Sequence, residues 1–363
     1  MEIKNNILTP IEFMSIIIGN IIGVGILVLP ANVSKYAYED GWISIILGSI
    51  YPFYICLLGI YISKIYPDKN ILFLSRKYFG KIVGNILNFL FFTIFIYNAI
   101  TGLAPTGYIL VNFLSFFLNK NNTIFLISLV ALYTVFKDLK LIGRLNIVML
   151  FITIFLLTFP LPGIKEGQML NIRPVFKSSI SQILKGAYET IFSYTGIEVF
   201  FLIYPYVENK KKIKSYSLKA CLFVLISYSW VQFICLYYLG SETINKVNWP
   251  LITTTETLII PLINNMRYIF IFLWVNIIIK TISNNYFFST YIFADIIGGK
   301  IDRKFVVILV FPVILFISTY FENAVIINNF IKLATPFVLA YTIFFITIIA
   351  ILVKKDVSYG KNV

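Results

Sequence analysis

Residues Gly19-Asn20-Ile21-Ile22-Gly23-Val24-Gly25-Ile26 put three glycines within seven positions, in the middle of an apolar run that extends from about residue 10 to 30. Each glycine costs a helix about 1 kcal/mol against alanine. A run of this length is suited to crossing a ~30 Å hydrocarbon core, which takes about 20 helical residues. Unwound backbone survives at that depth only where protein buries it or where it lines a cavity. Two readings follow: close helix packing through small residues four apart, Gly19 and Gly23, or a binding site built at a broken helix.

A second interruption favours the site. The run 181–207 contains Ser193-Tyr194-Thr195-Gly196-Ile197-Glu198 near its centre, and Gly196 follows Gly23 by 173 residues in a chain of 363. Glycine-interrupted helices at corresponding places in two halves mark the binding site of inverted-repeat transporters. The halves would run from about 10 to 163 and from about 181 to 353. At such a break, half-helix N-termini offer free N–H groups and the positive end of a dipole to an anion such as a carboxylate.

Composition agrees with a membrane setting. The chain is 59% hydrophobic and 13% charged, with a mean hydropathy of +0.88, whereas soluble domains carry about 25% charged residues. The reading is an all-α integral membrane protein with a single transmembrane domain over 1–363. Ten spans are expected, at roughly 10–30, 41–62, 82–117, 123–137, 141–163, 181–207, 218–240, 266–298, 305–320 and 329–353. The first is not expected to be a cleaved signal peptide, because no small-x-small site follows it. Stretches 71–74 and 258–262 read as interfacial helices.

The net charge of +14 resolves into orientation rather than nucleic-acid binding. With the N-terminus inside, 20 of the 30 basic residues fall on the cytoplasmic side and nine outside, with Lys280 left within a span. That excess matches the positive-inside rule and places both termini in the cytoplasm. Lys210-Lys211-Lys212 belongs to this signal, and could also meet anionic lipid or a partner. The absence of histidine removes Ser-His-Asp and Cys-His catalysis and His-ligated zinc. Cys56, Cys221 and Cys235 form no C-x-x-C pair. No enzyme, metal or cofactor is therefore expected.

The glycine-rich first span from Gly19 to Pro30, the Tyr194-Thr195-Gly196-Ile197-Glu198 break followed by Pro205, the ten expected spans and the length of 363 together resemble the B subunit of spore germinant receptors. That family lies within the amino acid–polyamine–organocation transporter superfamily, most of whose metabolic amino-acid transporters are longer, with twelve spans. The resemblance implies an amino-acid-sensing subunit in the inner membrane of an endospore, beside an A subunit and a lipoprotein C subunit. It also implies that Tyr97 and Thr101, one turn apart on the third span, line the pocket. Read without it, both are ordinary packing residues.

Ionisable residues inside spans are functional candidates because burying them is costly. Glu198, just after the Gly196 break, either receives a ligand ammonium, gates the helix when protonated, or accepts N–H bonds from the next half-helix. Glu189 is expected in a vestibule or interface. Lys280 is either a fixed cation in place of sodium, a proton carrier, a partner of Glu198 or Glu189, or a snorkelling side chain. Asn276, Asn284 and Asn285 lie near it, while Glu12 and Asp295 sit at span ends. The site expectation is that backbone N–H groups around Gly23-Val24-Gly25 hold a carboxylate, with Gly19 beside them. The Thr195–Glu198 region, with Gly196 in it, would take the amine, Tyr194 would also contact the ligand, and Glu198 and Lys280 would couple or gate. The ligand would be a small nutrient, an amino acid, and the rival reading is a proton- or sodium-coupled amino-acid transporter.

Overall fold

The first helix, α1 (Pro10–Ile21), starts where the sequence caps it. Thr9 accepts from the Glu12 N–H at 3.3 Å while the Glu12 carboxylate accepts from the Thr9 N–H at 2.7 Å, a reciprocal capping box with Pro10 at the first helical position. In the computed structural model, which describes residues 6–114, 117, 119–256, 266–299 and 301–358, helices account for most of the described residues. Among the described residues the β element is an isolated parallel bridge from Leu8 to Val207.

The helices that follow are α2 (Gly25–Ala37), α3 (Gly41–Gly48), α4 (Ile50–Ile65), α5 (Ile71–Phe113), α6 (Lys120–Val135) and α7 (Leu139–Thr158). The second half adds α8 (Ile180–Glu189), α9 (Ile191–Tyr194), α10 (Phe200–Ile203), α11 (Ile213–Ile244), α12 (Pro250–Glu256), α13 (Met266–Ile296), α14 (Arg303–Tyr320) and α15 (Ala324–Ser358). Seven helical runs among the described residues are long and apolar enough to cross a membrane: Gly25–Ile65, Ile71–Phe113, Leu139–Thr158, Lys210–Ile244, Met266–Ile296, Arg303–Tyr320 and Ala324–Ser358.

Where this differs from the sequence expectation, the reason is length. Helix α1 has 12 residues, which rise only ~18 Å, and α6 has 16, or ~24 Å. The region 181–207 is cut into α8, α9 and α10. The run Gly25–Ile65 in turn contains a corner, where Tyr38 takes φ 46° and a 3-10 turn leads into α3. The over-long third span is α5, bent at Gly80 with φ 76°, so 71–79 forms a separate first segment. The expected interfacial helix at 258–262 lies outside the described residues.

Helix α13 packs along α5 and also meets α1, α6 and α7, while α11 lies against α1, α2, α3 and α4. Large apolar side chains remain exposed on the outside of the bundle, among them Ile50, Phe151, Phe316, Phe337 and Phe344. A surface of that kind suits contact with lipid chains.

Candidate functional site

Both glycine stretches are real interruptions, and they touch. Helix α1 ends at Ile21, residues 22–24 are non-helical, and α2 restarts at Gly25 without a side-chain cap. On the other side, α9 ends at Tyr194, Thr195 is extended, and Gly196 adopts φ 109° before a 3-10 turn leads into α10. That φ belongs to the left-handed region that favours glycine. A Cβ on Gly196 would also collide with the backbone oxygen of Asn20, and one on Gly25 would lie 2.8 Å from the Cα of Ser193.

Hydrogen bonds join the breaks. The Asn20 amide donates to the Gly196 carbonyl at 3.0 Å, and the Ser193 hydroxyl donates to the Gly25 carbonyl at 3.1 Å. From α11, the Tyr228 hydroxyl lies 2.7 Å from the Ser193 carbonyl and 3.2 Å from that of Ile21. Buried carbonyls freed by unwinding are thus satisfied from neighbouring elements, which is what makes a break tolerable at this depth.

A cavity of about 30 Å³ remains between them, bordered by Asn20, Val24, Asn98, Thr101, Thr195 and Asn285, among others. This is room for about one water molecule. Two polar atoms of residues that border the cavity have no partner among the described residues: the Asn20 amide oxygen and the Asn98 amide nitrogen. The N–H groups of Gly23, Val24 and Gly25 likewise have no acceptor among the described residues. A buried orphan donor or acceptor costs about 1–3 kcal/mol, so this concentration of unmet donors, with an acceptor among them, is what a small polar ligand would relieve.

The predicted residues divide into those at the cavity and those that support it. Gly23, Val24, Gly25, Thr101 and Thr195 line it, whereas Gly19 packs against Asn146 and Lys280. Tyr194 turns away and donates to the Ile45 carbonyl at 3.1 Å. Tyr97 also turns away, its hydroxyl 2.9 Å from that of Thr335 on α15, and the Thr101 hydroxyl donates to the Tyr97 carbonyl at 2.8 Å. Glu198 is wholly buried and does not line the cavity. One of its oxygens accepts the Gly196 N–H at 2.6 Å and the other accepts the Tyr51 hydroxyl. Its backbone donor is thus Gly196 in the break itself, not an N–H of the following half-helix, and its second donor comes from α4.

Lys280 is buried to 2% exposure, and neither Glu198 nor Glu189 pairs with it, which removes the ion-pair and snorkelling alternatives. Its ammonium sits 3.5 Å from the Ile22 carbonyl, and the neighbouring Thr281 hydroxyl lies 3.0 Å from the Gly19 carbonyl and 3.1 Å from that of Ile22. Helix α13 therefore holds the C-terminal carbonyls of α1, the negative end of its dipole. Asn284 pairs with Asn146 at 2.9 Å, Asn285 faces the cavity, and Asn276 lies on the exposed side. Sequence reasoning passed over Asn20, Ser193, Phe192 and Thr281; an asparagine within an apolar half-helix was the available signal for the first.

Next to this small cavity is a larger one of about 300 Å³, and Val24 and Phe192 border both. At the opposite end of the bundle, polar links close the structure: Arg76 to Asp295 at 2.6 Å, Asn70 to Tyr291 at 3.0 Å, and Tyr206 to Tyr291 at 2.9 Å. The larger cavity thus lies on one side of the break, and the polar links close the other.

Comparison with known proteins places this arrangement. The family described as Spore germination protein, a family of spore permeases, matches residues 7–326. Spore germination protein GerQB of Bacillus cereus is 25% identical over 311 residues, covering 83% of this chain and 82% of that protein. Spore germination protein B2 of Bacillus subtilis (strain 168) is 25% identical over 265 residues, 70% of this chain and 69% of the relative. Among solved structures, a substrate-bound, outward-open Na+-coupled sialic acid symporter superposes with a TM-score of 0.66 at 12% identity, over 94% of this chain and 80% of its own. MhsT in complex with L-phenylalanine gives 0.62 at 12% identity, over 96% and 89%. At that identity the likeness is one of fold.

Proposed function

Because the chain belongs to the spore germination protein family, we propose that it is the permease-like, nutrient-sensing subunit of a germinant receptor and binds an amino acid where its two broken helices meet. The observation that carries this reading is the set of unmet hydrogen-bonding groups around the small cavity: the Asn20 oxygen, the Asn98 amide nitrogen and the N–H groups of Gly23, Val24 and Gly25. The donors suit a carboxylate, and the Asn20 oxygen with Thr195 suits an ammonium.

A cavity of about 30 Å³ cannot hold an amino acid, so binding requires the breaks to separate. A ligand that binds only the wider state shifts the population toward it. In this reading the chain forms ten spans in one domain, as five-plus-five inverted repeats over about 10–163 and 181–353. Both termini are cytoplasmic, in the spore inner membrane. The shift is passed to A and C subunits as the germination signal. Glu198 fixes the second break, and Lys280 stands where a coupling sodium ion would otherwise neutralise the carbonyls of α1.

The test is ligand-induced thermal stabilisation of the purified chain in lipid nanodiscs, with each common amino acid as probe. At least one should stabilise the wild type, and Asn20→Ala should reduce the effect. Stabilisation left undiminished by both Asn20→Ala and Gly25→Val would remove the site. The likeness to ion-coupled symporters keeps transport as the rival: concentrative uptake of that amino acid into vesicles bearing this chain alone would replace sensing by transport.

A further inference from the structure

The cavity of about 300 Å³ beside the break carries charges that the site described above does not use. Glu189, at the end of α8, and Lys332, on α15, both line it. Glu189 lies within electrostatic reach of Lys332 and also of Lys35, yet it forms no ion pair with either; the ion pairs among the described residues are Arg76–Asp295, Lys77–Asp356, Lys140–Glu12 and Lys210–Asp68. Glu189 is half-buried, while Lys332 reaches in from an exposed position. Three amides, Asn32, Asn248 and Asn328, complete the polar lining. None of these five side chains makes a hydrogen bond to the described protein. The remaining wall is apolar and aromatic, including Val28, Tyr108, Phe192, Trp249 and Ile331.

Opposite charges held apart in one mostly apolar cavity are matched by a ligand that carries both. A simple amine would satisfy Glu189 and leave Lys332 unmatched, and a simple acid would do the reverse. An α-amino acid presents ammonium and carboxylate on one carbon, with a side chain free to lie on the apolar wall. The volume is at the lower end of the ~300–1,000 Å³ range of small-molecule sites, about tenfold larger than the cavity at the break.

We propose that this cavity is a second binding site, in series with the break, for a zwitterionic amino acid with an apolar side chain. Glu189 receives the ammonium, Lys332 the carboxylate, and Val24 and Phe192 form the partition the ligand passes to reach Asn20. The proposal rests on the reading of the break as the deeper site, and deepens it by naming the chemical class admitted.

The experiment measures binding of L-leucine to the full chain in nanodiscs by saturation-transfer NMR. The comparison probes are 3-methylbutylamine, which lacks the carboxylate, and 4-methylpentanoate, which lacks the ammonium. The background is Gly25→Val, which fills the deeper site; Asn20→Ala serves if that variant does not insert. L-leucine should still bind this background, and Glu189→Gln or Lys332→Gln should each weaken it at least tenfold, as should each truncated probe. Absence of L-leucine binding in this background, or binding indifferent to both charge substitutions or as strong for either truncated probe, overturns the second site. Failure of the deeper site reads differently: Asn20→Ala and Gly25→Val would then leave the wild-type ligand response untouched.

Discussion

The ammonium of Lys280 lies 3.5 Å from the carbonyl oxygen of Ile22, at the end of the half-helix α1, in a place that no carboxylate shares. The carbonyls of Gly19 and Ile22, with the Thr281 hydroxyl between them, would present oxygen ligands to a small cation if the lysine were absent. Hard cations such as sodium prefer such donors. Lys280→Ala should lower the melting temperature of the purified chain by several degrees. Sodium chloride should restore part of the loss and choline chloride at equal ionic strength should not, while the wild type melts alike in both salts. Equal recovery in the two salts would mean that Lys280 acts only by packing.

Asn20 and Glu198 are both buried polar residues beside Gly196, but they should respond differently to substitution. The Glu198 carboxylate accepts two donors, the Gly196 N–H and the Tyr51 hydroxyl. An amide has one acceptor oxygen, so Glu198→Gln leaves one of these donors without its acceptor, at about 1–3 kcal/mol. Thermal stability should fall, and ligand response with it. Asn20→Ala removes an oxygen that has no partner among the described residues, although the Gly196 carbonyl loses its amide donor. Its stability loss should be the smaller of the two and its loss of ligand binding the larger. Melting curves with and without ligand separate these effects.

The contrast shows what could be read in the sequence. Glycine spacing located both breaks to within a residue or two, because backbone conformation is a local property and Gly196 and Gly25 each answer a local steric demand. Charge placement and hydropathy likewise led to a helical membrane protein. The direction of a side chain is not local. Glu198 points to α4, Tyr97 to α15 and Tyr194 to α3, choices set by helices far away in sequence. The pairing of Asn20 with the second break spans 176 residues, and no periodicity encodes that. The number of spans is likewise not a local property: a broken or short helix is judged as a crossing by its partners, not by its own length.

Gly196 offers a stability test that needs no ligand. At φ 109° a side chain is strained by about 1–2 kcal/mol relative to glycine, and a Cβ there would meet the Asn20 carbonyl. Gly196→Ala should therefore insert poorly or melt well below the wild type. Gly299→Ala, with φ 67° but nothing within 4 Å of an added Cβ, should show only the conformational penalty. Comparable melting of the two variants would argue that contact with Asn20 contributes nothing.

The Arg76–Asp295 pair joins the first segment of α5 to the end of α13 and closes the end of the bundle opposite the large cavity. Its side chains are 27% and 29% exposed, so solvent screening limits the pair to about 0–1 kcal/mol. That is too little to unfold the protein but enough to change a two-state population several-fold. Asp295→Asn should therefore leave folding intact and raise the fraction opened at this end. A Ser289→Cys reporter lies fully buried behind the latch, and the native Cys56, Cys221 and Cys235 are all buried, so labelling by a polar maleimide reports opening. The rate at position 289 should rise two- to fivefold in Asp295→Asn and return toward the wild-type rate when ligand holds the opposite conformation. An unchanged rate would assign the closure to the tyrosine contacts of Tyr206 and Tyr291 instead.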